Sequence, residues 1–231
     1  MIQLLMGRGE SPFFGLFHPP VKLLPMKKLI QGIMDFRRTR REAVKDLFSS
    51  LALGQKPDCF FIACSDSRVA VNVFASTDPG DLFVIRNLGN IMPPFPDGGS
   101  AVAALEFAVG TLKVSHIIVC GHSDCGAMRA LAQNPEARER TPLVSWLRHA
   151  KEALNENLAD QDSLSQRNVA LQLENLRSHP MVQERVKAGT LKLHGLWFNI
   201  RHADVYYLEP PQNFVLIDDA EGQKILARLD S

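Results

Sequence analysis

The sequence predicts an α/β fold, with a mostly parallel central β-sheet flanked by helices and an N-terminal helical arm. Three observations carry this. Cys59-Phe60-Phe61-Ile62-Ala63-Cys64, Leu82-Phe83-Val84-Ile85 and Ile117-Ile118-Val119-Cys120 are short continuous apolar runs, as expected of parallel strands buried on both faces. Stretches with helical spacing of apolar residues lie between and after them. Short apolar strands alternating with helices make βαβ units and a parallel sheet.

Residues 1–25 hold Gly7, Gly9, Pro12, Gly15, Pro19, Pro20 and Pro25 with little periodicity, and read as an irregular extension ahead of a single domain over 26–231. From Lys27 to Leu53 the pattern turns helical: Leu29, Ile30, Ile33 and Met34, then Val44, Leu47, Phe48 and Leu51. Two helical pieces fit it, the first an arm suited to pack on a partner subunit. Gly54-Gln55-Lys56-Pro57 stops the second piece ahead of the first strand. A helix is expected from about Ser100 to Leu112 before the third strand, which Gly121 ends, and another opens at Gly126. Helical sequence runs from Pro142 to about Arg177 with a break near Asp160 to Ser163, and Pro180 to Lys187 is a further short helix. Leu191 to Ile200 and Val205 to Leu208 read as strands joined by a tight polar turn.

The 231 residues are 45% hydrophobic and 22% charged, with a formal net charge of +1 from 26 basic and 25 acidic side chains. Neither a nucleic-acid nor an anionic-membrane footprint is expected from that balance. No apolar run approaches the roughly 18 residues of a membrane span, and the first residues lack the sustained apolar stretch of a secretory signal. Cys59, Cys64, Cys120 and Cys125 are the four cysteines. Two lie in apolar runs as buried thiols and two belong to the constellation below, which suits a reducing compartment; the cytoplasm is the expected location.

That constellation is Cys64-Ser65-Asp66-Ser67-Arg68 together with His122-Ser123-Asp124-Cys125. Two thiols and one imidazole are one ligand short of a closed tetrahedral zinc site, as in catalytic centres that leave the fourth position to water or substrate. Both motifs fall at the carboxyl ends of strands, where parallel α/β sheets place their sites. Cys125 precedes a helix, whose dipole favours a thiolate. Two thiolates cancel the charge of Zn²⁺, so such an ion should acidify water less than a tri-histidine site does, and activity should rise toward alkaline pH. Asp66 and Arg68 read either as a working pair, the guanidinium fixing and ionising the carboxylate, or as a salt bridge bracing the loop. A Cys-x₃-Arg phosphatase nucleophile is set aside, because that chemistry uses five intervening residues and has no need of His122 or Cys125.

CSDSR at 64–68, DPGDLFVIRNLGN at 78–90, VCGHSDCGAM at 119–128 and LHG at 193–195 closely resemble the β-class carbonic anhydrases over about residues 27 to 208. The resemblance implies Cys64, His122 and Cys125 as ligands of one zinc ion per subunit, and Asp66 and Arg68 as a catalytic dyad. It implies reversible hydration of CO₂ to bicarbonate and a proton, with the dyad orienting a zinc-bound hydroxide or Asp66 itself binding zinc when water is absent. A dimer or a dimer of dimers is implied, with sites near the subunit interface. Gln55 matches a glutamine whose amide hydrogen-bonds substrate, and Phe83 and Leu88 match apolar cleft positions. Phe107 stands where plant-type members have tyrosine; plain core packing fits Phe83, Leu88 and Phe107 equally. Asp124, Ser65 and Ser67 read as loop hydrogen-bonders. Members with a closed, bicarbonate-inhibited site carry tryptophan and glycine where this chain has Phe61 and Ala63, which implies a permanently open site. Leu196 reads as inserted before Trp197, where the family has Gly-Trp, and the last 25 residues fall outside the resemblance. The same zinc chemistry would serve a CS₂ or COS hydrolase, and a non-catalytic zinc or redox-sensing module would keep the cysteines without needing Asp66, Arg68 or Gln55.

Overall fold

Six consecutive apolar residues with no glycine or proline make Cys59–Cys64 the first strand, β1, and all but its first residue are buried. A computed structural model describes residues 25–136, 141–154 and 160–229 of the chain. The anticipated irregular extension falls almost wholly outside the described residues, and Pro25 already opens a helix. The chain divides between Ser49 and Ser50 into two units. The first holds α1 (Pro25–Thr39) and most of α2 (Arg41–Leu51), and every residue of both helices is at least partly exposed. Met26, Leu29, Ile30 and Ile33 of α1 present apolar side chains to solvent.

The second unit is built on a six-stranded sheet of β1, β2 (Leu82–Asn87), β3 (His116–His122), β4 (Lys192–Asn199), β5 (Asp204–Glu209) and β6 (Asn213–Leu216), in the order β2-β1-β3-β4-β5-β6. β1 runs parallel to β2 and β3, and β3 parallel to β4; β5 and β6 add antiparallel. Its helices are α3 (Val71–Phe74), α4 (Ser100–Glu106), α5 (Gly126–Gln133), α6 (Pro142–Leu147), α7 (Gln161–Ser178), α8 (Pro180–Lys187) and α9 (Asp219–Leu229). α4 continues as π-helical backbone over Phe107–Leu112. Side chains alternate across each strand. Phe60, Ile62, Ile117 and Val119 therefore pack on one face against Leu105 of α4 and Val169 of α7, while Phe61, Ala63 and Cys120 pack on the other with Val71 and Phe198.

Two expectations are revised. Gly121 does not end its strand: β3 continues through it to His122. A glycine is needed there because a Cβ would stand 2.7 Å from Val169 Cγ2 and 3.2 Å from Ser165 Oγ, both on α7. At Leu196, which reads as inserted, β3 and β4 pair one to one from His116 with Lys192 through to His122 with Phe198. The break near Asp160 is a helix start: the Asp160 carboxylate accepts from Ser163 N at 2.7 Å and caps α7. The described residues among the last 25 include the edge strand β6 and α9, whose Ile225 is buried.

Candidate metal centre

Because β1 and β3 are parallel neighbours, their carboxyl ends deliver Cys64 and His122 side by side. Three residues after His122, Cys125 forms the N-cap of α5. The ligand atoms of Cys64, His122 and Cys125 lie within 4.8 Å of one another, and all three residues are buried. The His122 Nδ1 faces the carbonyl of Ser123 at 2.8 Å. A proton on Nδ1 leaves Nε2 as the lone-pair nitrogen, and Nε2 is buried with no hydrogen-bond partner among the described residues. A buried imidazole nitrogen without a partner, on a residue grouped within 4.8 Å of two cysteine sulfurs, fits a thiophilic ion such as zinc. The sulfurs are unequal: the Cys64 thiol is lowered to about 4, chiefly because Cys125 donates to it, with help from Gly89 N at 3.4 Å. As the donor, Cys125 is pushed up, although the amides of Ala127 and Met128 favour its thiolate.

The shell around these residues is fixed from three sides. Arg86 of β2 donates from Nε to the carbonyl of Cys64 (3.0 Å) and from Nη2 to that of Asp66 (2.6 Å). Asn87 closes the following turn by bonding both the amide and the carbonyl of Ile91, so that Gly89, at φ 76, can point its N–H at Cys64. α7 carries a polar stripe at helical spacing: Ser165 donates to the carbonyl of His122 at 2.8 Å, Asn168 to that of Gly89 at 2.9 Å, and Gln172 accepts from Met92 N at 2.9 Å. All three are buried.

Asp66 and Arg68 meet as a bidentate pair, with Arg68 Nε 3.0 Å from Oδ1 and Nη2 2.8 Å from Oδ2. These bonds from Arg68 hold the Asp66 carboxyl well below the usual carboxylate range, against a desolvation that would raise it. Leu88 lies in the same loop as Gly89, about half exposed, with its carbonyl accepting from Trp146 Nε1 at 2.8 Å. The other cleft positions stand elsewhere. Phe83 is paired in register with Phe60 near the start of β1, and its ring packs on Phe107 at 5.7 Å between centroids. Gln55 precedes β1 and is exposed. From Cys59 to Cys64 the strand rises about 16 Å, so one chain keeps these three residues at the end of the sheet opposite the cysteines and histidine.

Asp124 forms hydrogen bonds beyond its own loop. It sits at φ 53 between His122 and Cys125, and its carboxylate accepts from Arg68 and from Arg129. Its position between two ligand candidates was the one sequence signal available for this. Ser165, Asn168 and Gln172 gave none, because a polar stripe on a helix reads as a solvent face.

The sequence profile of the family described as Carbonic anhydrase matches residues 59–205, well over half of the chain. A carbonic anhydrase of Pseudomonas aeruginosa is 42% identical over 193 residues, covering 80% of this chain and 88% of that protein. The solved structure of the β-carbonic anhydrase CcaA superposes with a TM-score of 0.77 at 36% identity, over 84% of this chain and 92% of that one. A tetrameric β-carbonic anhydrase of Sordaria macrospora gives 0.71 at 28% identity, over 79% and 96%.

Proposed function

The chain belongs to the β-class carbonic anhydrases, and from that membership we propose that it hydrates CO₂ reversibly to bicarbonate and a proton, with Cys64, His122 and Cys125 holding one zinc ion per subunit. Zinc in such a site would supply the Lewis acidity that makes water a nucleophile. Asp66 accepts a hydrogen bond from the attacking water and so aims its lone pair at the carbon of CO₂. Its carboxyl, held far below the usual range by Arg68, is a poor proton carrier at neutral pH and a good orienting acceptor. The released proton therefore leaves to solvent or buffer and does not stay on the dyad. Leu88 offers an apolar wall beside Cys64, suited to a linear apolar substrate.

Gln55, Phe83 and Phe107 complete a cleft only when a second copy presents them, because their own chain holds them at the far end of the sheet. Self-association as a dimer or tetramer follows, in keeping with a tetrameric relative. Behind Cys64, Phe61 packs on Phe74 and Phe74 stacks on Phe198 with centroids 4.6 Å apart. That aromatic filling supports an open site with no bicarbonate effector pocket there, so sigmoidal bicarbonate dependence of the rate would contradict it. The four cysteines are free, as a reducing compartment such as the cytoplasm keeps them, and no helix among the described residues is long and apolar enough to cross a membrane.

The observation that carries the reading is the buried trio whose His122 Nε2 has no partner, one loop away from an ionised Asp66. Stopped-flow CO₂ hydration with metal analysis tests it. Cys64→Ser should lose zinc and turnover together, whereas Asp66→Ala should lose turnover and keep zinc. A zinc-loaded parent without hydration activity at alkaline pH would refute the reading.

A further inference from the structure

Arg68 spends its guanidinium on two aspartates. Nε and Nη2 face the two oxygens of Asp66, while Nη1 donates to Asp124 Oδ2 at 2.9 Å and Nη2 to the Asp124 carbonyl at 3.1 Å. Asp66 and Arg68 share one short loop whose backbone Arg86 holds at the Cys64 and Asp66 carbonyls, so their pairing alone fixes the two side chains only to each other. Asp124 is anchored independently. Its backbone amide donates to Asp162 Oδ1 at 2.8 Å, and its carboxylate also takes Arg129 of α5. The positive φ of 53 that turns its amide and carboxylate to these partners is one that aspartate and asparagine tolerate better than most residues. The outer edge of Arg68 is thereby tied to the turn between His122 and Cys125.

We propose that Asp124 is a positioning residue that clamps Arg68, so that both oxygens of Asp66 stay engaged and the fourth metal position stays open to exogenous ligands. The inference rests on the metal ligands proposed above. Without the clamp, Asp66 gains access to the fourth position and competes there with external anions.

The test uses cobalt-substituted protein, full chain, with azide binding read from the visible absorption of the ion. Asp124→Asn keeps a residue suited to φ 53 and removes the charge that strengthens its bonds to Arg68. Expected are one cobalt per chain, azide affinity weakened about tenfold, and recovery to the Asp66→Ala value in the Asp66→Ala/Asp124→Asn double variant. The sign is diagnostic, because deleting a negative charge near an anion site should by Coulomb's law tighten azide binding. Unchanged or tighter binding in Asp124→Asn overturns the proposal, as does weakening that persists in the double variant. If Asp124→Asn loses cobalt, Asp124→Gly, unstrained at φ 53, repeats the measurement; cobalt loss in both variants also overturns it, since Asp124 would then serve the ligand turn alone. A parent that binds no cobalt refutes the metal reading itself, a result distinct from a cobalt-loaded parent whose azide affinity Asp124→Asn leaves unchanged.

Discussion

Replacing Gly121 by alanine tests whether close contact between sheet and helix holds the His122 backbone. The added Cβ would lie 2.7 Å from Val169 Cγ2, against 3.4 Å or more in ordinary contact, and 3.2 Å from both Ser165 Oγ and Trp197 Cδ1. None of these neighbours yields easily. Val169 is fully buried on α7 and stiff at χ1, and the Trp197 ring is pinned by its hydrogen bond to Ser165 Oγ. The strain is relieved by α7 moving off the sheet, which draws Ser165 away from the carbonyl of His122. Overpacking costs about 1–3 kcal/mol and the lost hydrogen bond about 1 kcal/mol, so Gly121→Ala should destabilise by about 2–4 kcal/mol. Urea unfolding followed by circular dichroism at fixed protein concentration measures it. Val169→Ala removes the offending methyl, so the double variant should be more stable than the sum of the single changes predicts, by about 1–2 kcal/mol of coupling. A Gly121→Ala protein within about 0.5 kcal/mol of the parent, or strict additivity with Val169→Ala, would refute the reasoning.

Three further outcomes are expected. His194 is buried between His116 at 2.9 Å and the Tyr207 hydroxyl at 3.0 Å, and burial, with the nearby His116 and Lys192, lowers it to about 4. Between that value and the ordinary 6.5 the unfolded chain holds the extra proton. Stability is therefore complete above about pH 6.5 and falls by up to about 3 kcal/mol as pH drops toward 4; an equal loss in His194→Phe, from urea curves at pH 7 and 4.5, would count against it. Asn168→Ala strips the buried Gly89 carbonyl of its donor and should cost about 1–3 kcal/mol, with a change below 0.5 kcal/mol in the same assay as the contrary result. CO₂ hydration by the zinc-loaded protein should rise from pH 6 to 9, because two thiolates offset the ion's charge; a flat profile would contradict this.

Buried parallel strands announce themselves as unbroken apolar runs, which is why β1 and β3 were legible to within a residue or two. The trio of Cys64, His122 and Cys125 was equally legible, since thiols and imidazole at strand ends have few purely structural uses. Legibility failed where a residue answers to a distant neighbour. Gly121 looks like a strand terminator until α7 is seen lying against it. Ser165, Asn168 and Gln172 look solvent-facing, yet they satisfy carbonyls and an amide of the two loops that carry Cys64 and His122. The double pairing of Arg68 joins residues 56 positions apart, which no local pattern encodes.

The separation of Gln55 from Cys64 within one chain has a genetic meaning. If each site takes its metal ligands from one chain and its far wall from another, lesions at Gln55 and at Cys64 damage different halves of the same site. A mixed assembly of Gln55→Ala and Cys64→Ser chains then gathers both lesions into one site and leaves its counterpart whole. Two alleles, each inactive alone, would restore part of the activity when expressed together.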